Sequence, residues 1–174
     1  MECRISEGTT LGMTYPSCGI CISRSWHKDF KVIPDGLGRP RRPVPNARAP
    51  RLVDSKGFDE YMKELGVGLA LRKMGAMAKP DCVITVNGNN LSVRTESILK
   101  TTQFSCNLGE KFEETTADGR KTQTVCSFKD GVLVQHQEWD GKESTIKRKL
   151  ENGKLVVECI MNNVTCTRTY EKVE

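Results

Sequence analysis

Seven turn signals recur at short intervals in the C-terminal two thirds of this sequence, and they constrain its fold more than any other feature. They are Asn87-Gly88, Leu108-Gly109, Asp118-Gly119, Asp130-Gly131, Asp140-Gly141, Asn152-Gly153 and Asn162-Asn163. The runs between them are rich in Val, Thr, Ile and aromatic residues, which favour strands. This pattern predicts successive antiparallel hairpins. Closure of such a sheet removes its open edges, so we predict an all-β, up-and-down barrel.

The first fifty residues differ in composition from the rest. They contain six of the seven prolines and carry 8 Lys and Arg against 4 Asp and Glu, whereas residues 51–174 carry 19 against 18. Proline favours extended, solvated backbone and interrupts helices and central strands. We therefore predict a disordered extension over 1–50 and a folded domain over 51–174. Because the basic excess lies in the extension, the domain has no charge pattern of a nucleic-acid-binding protein.

Two short helices are predicted ahead of the strands, between about 54 and 77. Asp54 and Ser55 are helix-capping residue types, and Pro80 closes the helical region. Apolar residues follow at helical spacing: Phe58, Tyr61, Met62 and Leu65 in the first helix, and Leu69, Leu71, Met74 and Met77 in the second.

The turns set the register of the last three strands. If Asn152-Gly153 and Asn162-Asn163 are two-residue loops, Arg148 faces Val157 and Val157 faces Arg168. The three side chains then lie in one row, on one face of the sheet. Their neighbours on that face are apolar or amide side chains: Leu133, Gln135, Gln137, Trp139, Ile146, Leu150 and Leu155. The other face is rich in Lys, Glu and Thr, so the arginine face is predicted to point inward.

Two arginines inside a barrel predict an anion site. Buried charge is costly unless it is paired, and no Asp or Glu falls on this face of the last three strands. Arg148 and Arg168 can grip a carboxylate with parallel hydrogen bonds, and Tyr170 can add an O–H donor. A carboxylate with a long apolar tail suits this lining. The alternative is that both arginines lie on an outer face or pair with carboxylates from distant strands.

Residues that could carry catalysis or hold a metal are few. Cys18-Gly19-Ile20-Cys21 has metal or redox spacing, but no second pair accompanies it, and we interpret it as chance. His27 lies in the extension, and His136 falls on the predicted outer face. No nucleophile, histidine and acid can be combined within 51–174. We expect a protein that is not an enzyme and that needs neither metal nor cofactor.

Two segments and one residue set carry a resemblance to a known family. They are residues 51–62 (RLVDSKGFDEYM), residues 166–172 (CTRTYEK) and the set Arg148, Arg168 and Tyr170. They resemble the intracellular lipid-binding proteins, of the calycin group, and the resemblance extends over 51–174. It implies a flattened barrel (β-clam) of about ten antiparallel strands with a helix-turn-helix lid.

The resemblance also implies a function and a wider set of site residues. It implies an intracellular carrier that reversibly binds long-chain fatty acids and related lipids, such as retinoic acid or fatty acid amides, and transports them, including to the nucleus. Further residues are implied at the ligand or its portal: Phe58, Tyr61, Met74, Pro80, Cys82, Ala117 and Asp118. A barrel that binds protein or nucleic acid without a lipid ligand is the alternative.

Partners and locations are implied in the same way. Lys63, Arg72 and Lys73 resemble a composite nuclear-localisation patch, which would involve import machinery and a nuclear receptor; solvated helix charges are the alternative. The resemblance implies a monomer that contacts membranes transiently and is cytoplasmic and nuclear, with secretion possible without a signal peptide. Cys159 and Cys166 resemble a disulfide pair of the family and are opposite neighbours in the predicted register. In a reducing cytosol that bond would be labile or absent.

The sequence departs from the family just before the first strand. The family has a Gly-x-Trp element there, and this chain has Arg48-Ala49-Pro50. Pro50 cannot donate a hydrogen bond to a sheet. The pairing of the first strand is therefore left open by the sequence.

Overall fold

The structure, a computed structural model, describes Val32–Ile33 and residues 49–172, which contain eleven strands and two helices. The strands are β1 (Val32–Ile33), β2 (Arg51–Lys56), β3 (Asp81–Asn87), β4 (Asn90–Glu96), β5 (Thr101–Asn107), β6 (Lys111–Thr115), β7 (Lys121–Lys129), β8 (Val132–Trp139), β9 (Lys142–Glu151), β10 (Lys154–Met161) and β11 (Val164–Glu171). The helices are α1 (Phe58–Glu64) and α2 (Leu69–Met77). The predicted disorder of 1–50 and the Cys18–Cys21 pair lie outside the described residues, apart from β1 and residues 49–50.

Ten antiparallel strands form a nearly closed barrel, which confirms the predicted fold class. Their order is β5-β4-β3-β2-β11-β10-β9-β8-β7-β6, and β1 lies off this path, parallel to β3. β5 and β6 end the order without pairing in the described sheet, and the rings of Phe104 and Phe112 lie 5.5 Å apart between them. The Leu108-Gly109 turn that joins these two strands is therefore not a hairpin turn.

Two-residue turns set the register, as the sequence predicts. Asp130, Asp140 and Asn152 have φ of 51°, 45° and 51°, the left-handed conformation that such turns require. As a result Val157 pairs with both Arg148 and Arg168. The core of the barrel is built from the inward residues of these strands and of β3 and β4.

The first strand forms, although Pro50 precedes it. β2 pairs with β11 along its length, with an irregularity at Thr169/Tyr170, and meets β3 at one register position, Arg51 with Asp81. Pro50 takes part through its carbonyl, which accepts a hydrogen bond from the Cys82 N–H at 2.9 Å. A proline keeps this acceptor although it lacks the donor.

The two helices cross one end of the barrel as a lid (58–77). Asp54 and Ser55 lie in β2, so the prediction that they cap the first helix is wrong. Gly57 is the N-cap instead, with φ of 69°, and a Cβ there would meet the Thr165 carbonyl oxygen at 2.8 Å. This close approach lets β2 run to Lys56 before α1 begins against β11.

No helix among the described residues is long and apolar enough to cross a membrane.

Candidate functional site

A cavity of about 410 Å³ lies between the lid and the inner face of the barrel. Ligand sites for small molecules have volumes of roughly 300–1,000 Å³. Met74 of α2 and Leu99 of the β4–β5 turn line the cavity although they are 42% and 48% exposed. The cavity therefore reaches the surface between these residues and Ala117 of the β6–β7 turn, and we call this opening the mouth.

Most residues predicted to surround a ligand lie along this cavity. It is lined by Phe58, Tyr61, Met74, Pro80, Ala117, Asp118, Arg148, Arg168 and Tyr170. Cys82 is buried on β3 but is not among the lining residues. The structure therefore places Cys82, predicted at the ligand or its portal, in the core wall rather than at the cavity surface.

Arg148 and Arg168 both point into the barrel. They are 8% and 9% exposed and flank the buried Val157 across three neighbouring strands. The first part of the alternative, that the arginines lie on an outer face, is therefore wrong. Two strand spacings separate their backbones by roughly 10 Å. Both side chains line the cavity, so they converge on one volume.

Arg148 is compensated by a carboxylate that the sequence analysis missed. Its guanidinium donates to the Gln135 side-chain oxygen at 2.8 Å, and the Gln135 amide donates to Glu114 at 2.8 Å. Thr124 and Gln137 donate to the same Glu114 oxygen, each at 2.8 Å. Glu114 lies on β6, a distant strand, and reaches Arg148 only through the Gln135 bridge, so the direct pairing of the alternative is not seen for Arg148 among the described ion pairs. We call these residues the Glu114 network.

The sequence does not decide on which face of the sheet Glu114 lies, because the answer depends on the length of the loop at Asp118-Gly119. A two-residue loop at Asp118-Gly119 would pair Glu114 with Gln123 and place it outside. The Thr116 N–H instead bonds the Arg120 carbonyl, the loop is one residue longer, and Glu114 pairs with the buried Thr122. A shift of one residue moves a side chain to the other face.

Arg168 has no such compensation. Among the described residues, no carboxylate lies within ion-pair distance of its guanidinium, and its Nε is buried without a hydrogen-bond partner. The guanidinium carbon lies 3.9 Å from the centroid of the Phe58 ring of α1. A cation over an aromatic ring is stabilised modestly, by about 0.5–2 kcal/mol. The charge of Arg168 is therefore not neutralised by any described carboxylate.

Tyr170 completes the predicted set. It lies two residues after Arg168 and lines the same cavity. Burial raises the pKa of Tyr170 to about 12, against a smaller opposing effect of the Arg168 charge. Its hydroxyl therefore keeps its proton at neutral pH and can donate a hydrogen bond to an anion.

A second polar cluster lies nearer the lid. Arg120 forms two hydrogen bonds to Asp118, and its guanidinium carbon lies 4.4 Å from the Trp139 ring centroid. Burial acts to raise the pKa of Asp118, but hydrogen bonds from Arg120 and Thr116 hold it below its usual value. Tyr61 is hydrogen-bonded to Ser144 at 2.7 Å. Arg120 is therefore paired with the carboxylate of Asp118, whereas Arg168 has no such partner among the described residues.

The predicted disulfide is absent. Cys159 and Cys166 are opposite neighbours as the register predicts, but both are free thiols joined by a hydrogen bond. Opposite residues of an antiparallel pair have Cβ atoms about 4.5–5.5 Å apart, whereas a disulfide requires about 3.8 Å. The two sulfurs are therefore in hydrogen-bond contact without a covalent bond.

The three basic residues predicted as a localisation patch differ in their surroundings. Lys63 on α1 and Lys73 on α2 are exposed. Arg72 is 17% exposed; it is ion-paired with Asp59 at 3.0 Å and donates to the Val67 carbonyl at 3.2 Å. Arg72 therefore joins the two helices of the lid.

The part of the chain that the structure describes contains no cluster of three or more His, Cys, Asp or Glu that could hold a metal ion. His136, predicted on the outer face, lies there and contacts Thr145, Glu138 and Glu143.

Comparison with known proteins identifies close relatives of residues 51–173. The family described as lipocalin / cytosolic fatty-acid binding protein family matches this range. Fatty acid-binding protein 5 of Homo sapiens is 86% identical over 124 residues, which cover 71% of this chain and 92% of the relative. Among solved structures, fatty-acid-binding protein 1 of Echinococcus granulosus is 37% identical with a TM-score of 0.69, covering 72% of this chain and 95% of that one. A Schistosoma mansoni fatty acid binding protein in complex with arachidonic acid is 28% identical with a TM-score of 0.69, covering 72% and 93%.

Proposed function

The chain belongs to the lipocalin / cytosolic fatty-acid binding protein family, and from this premise we propose that it is a carrier that reversibly binds long-chain fatty acids and related lipids in the cavity under its lid. The human relative is named as a fatty acid-binding protein, and the Schistosoma relative binds arachidonic acid. In this role the protein is non-enzymatic and monomeric, uses no cofactor, and acts in the cytoplasm and nucleus, with secretion as a further location.

One observation carries this proposal: Arg168 is a buried cation that lines an apolar cavity and has no acidic partner among the described residues. A carboxylate in contact with Arg168 and Tyr170 would satisfy it with charge-assisted hydrogen bonds. Arg148, already bridged to Glu114, would add a further donor. A barrel that binds protein or nucleic acid in place of a lipid would leave this charge uncompensated.

The same geometry ranks ligands by headgroup. A fatty acid or retinoic acid brings the negative charge that Arg168 lacks, whereas a fatty acid amide brings only neutral polar atoms. Charged hydrogen bonds are about twice as strong as neutral ones.

Displacement of a fluorescent fatty acid by oleate tests the function. One saturable site per chain is expected, and the absence of saturable displacement would contradict a carrier role.

Transient membrane contact is proposed for the surface around the mouth. The exposed apolar side chains there are Leu69, Leu71, Met74, Met77, Ile98 and Leu99. Exposed Lys73, Lys79 and Lys100 lie among them, and α2 contains no acidic residue and no buried residue. Apolar side chains with basic neighbours suit insertion at an anionic lipid surface.

Replacing Met77 and Ile98 together with aspartate is expected to slow transfer of a fluorescent fatty acid to anionic vesicles several-fold. The charges would oppose insertion of a surface whose two substituted side chains are 75% and 99% exposed. Val53→Asp with Asn163→Asp, which adds two charges at exposed positions that do not line the cavity, is the control. Equal transfer rates in both double variants would argue against a role for the mouth in membrane contact.

Delivery to the nucleus is proposed through the exposed Lys63 and Lys73, with Arg72 fixing the helices that carry them. Lys63→Ala with Arg72→Ala and Lys73→Ala is expected to abolish ligand-dependent nuclear entry, measured by imaging of the tagged chain with a nuclear receptor reporter. Lys129→Ala with Lys142→Ala removes two exposed lysines elsewhere and should leave entry unchanged. Persistent entry of the triple variant would show that these three residues are ordinary surface charges without a role in nuclear entry.

A further inference from the structure

The outer edge of β3, on the side away from β4, is only partly covered by β2. The two strands share one register position, Arg51 with Asp81, and β2 otherwise pairs with β11. A full antiparallel neighbour would cover β3 as far as Asn87. The residues that precede Arg51 include Pro45 and Pro50, and proline has no N–H to give to a sheet.

Backbone groups of alternate β3 residues point to this edge. The Cys82 N–H donates across it to the Pro50 carbonyl at 2.9 Å. Because these directions alternate along a strand, the N–H and C=O groups of Ile84 and Val86 point the same way. Both residues are 1% exposed, and buried backbone groups are almost always hydrogen-bonded. This part of the edge therefore requires a partner other than β2.

β1 occupies the far part of the same edge. Val32 is in parallel register with Val86, and Ile33 with Asn87. Seventeen residues lie between Ile33 and Arg51, while the six-residue step from Asn87 back to Asp81 is roughly 20 Å. An extended chain covers about 3.3 Å per residue. One molecule can therefore place both β1 and β2 on this edge.

We propose that the outer edge of β3 is a strand-accepting surface and that its occupant is the chain's own segment centred on Val32–Ile33. The segment adds a parallel strand where β2 supplies none, as extended peptides do when they extend a sheet. The inner face of β3 carries Ile84 and Val86 of the core, so the added strand supports the barrel wall. The inference does not depend on a lipid ligand.

Hydrogen exchange in the full-length chain tests this inference. Val32→Pro with Ile33→Pro removes both N–H groups of β1. The Ile84 and Val86 amides are then expected to exchange roughly 10- to 100-fold faster than in the unchanged chain, because the edge opens locally. The amide of Leu155 on β10 should not change.

Ser23→Pro with Arg24→Pro is the matched control, since it adds two prolines to the same N-terminal segment outside β1. It should leave exchange at Ile84 and Val86 unchanged. Equal exchange at these amides in both double variants would overturn the inference, and so would an equal rise at Leu155. Protection that falls when the unchanged chain is diluted would assign the occupant to a second copy and would likewise overturn it.

Discussion

Replacing Arg168 with glutamine is expected to weaken the binding of oleate by about 1–3 kcal/mol, a factor of roughly 5 to 150 in the dissociation constant. Glutamine keeps a hydrogen-bond donor but loses the positive charge and the planar fork of donors. The ligand carboxylate would then lose its uncompensated cation, while Tyr170 and the bridged Arg148 remain. The loss is therefore expected to be large but incomplete.

Unlike the binding of oleate, the stability of the ligand-free protein should not be weakened by Arg168→Gln. A buried charge without an acidic partner is costly, so its removal should leave the free energy of unfolding unchanged or higher. An arginine that served only to hold the fold together would show a loss instead. Together, weaker binding and undiminished stability would distinguish a ligand-binding role from a structural one.

Displacement of a fluorescent fatty acid measures the first effect, and urea denaturation measures the second. Arg94→Gln on β4 is the matched control, because Arg94 is exposed and makes an ion pair with Glu96 on the outer surface. It should leave oleate affinity unchanged. If Arg168→Gln bound oleate as tightly as the unchanged chain, the carboxylate role of Arg168 would be lost.

Replacing Glu114 with leucine is expected to lower the free energy of unfolding by about 3–5 kcal/mol, the usual cost of removing one member of a buried charged network. Thr124, Gln135 and Gln137 would lose their shared acceptor, and all three are buried. Arg148 would also lose the carboxylate to which Gln135 connects it. Leucine cannot replace any of these interactions.

Urea denaturation of Glu114→Leu and Glu113→Leu side by side provides the measurement. Glu113 precedes Glu114 on β6, is exposed and lies 3.9 Å from Lys121. Its loss should change stability by no more than about 0.5 kcal/mol, as is usual at the surface. Similar losses in the two variants would show that the Glu114 network does not stabilise the barrel.

The parts of the fold that the sequence predicted well are those with local rules. The Asp and Asn residues of two-residue turns adopt the left-handed conformation, and each turn fixes the pairing of the strands beside it. This rule alone brought Arg148, Val157 and Arg168 into one row. The inward direction of that row then followed from the alternation of side chains along each strand.

The parts that the sequence did not predict depend on longer-range contacts or on loops one residue longer. Because the loop before Arg120 has one residue more than a two-residue turn, Glu114 lies inside the barrel, where Gln135 links it to Arg148. The start of α1 was misplaced because the N-cap is Gly57, whose backbone approaches Thr165 too closely for a Cβ, and Thr165 is distant in sequence. The prediction of a disulfide is wrong because the register determines which cysteines are opposite each other but not whether their sulfurs are bonded.

Among the described residues no strand ladder joins β5 to β6, so the barrel has a seam there, and the Phe104 and Phe112 rings are in contact across it. Thr102 and Phe104 on one side of it and Glu114 and Thr115 on the other border the cavity. An aromatic pair such as Phe104 with Phe112 contributes about 0.5–1.5 kcal/mol, far less than a row of backbone bonds. Separating β5 from β6 would therefore break none of the hydrogen-bonded ladders of the described wall.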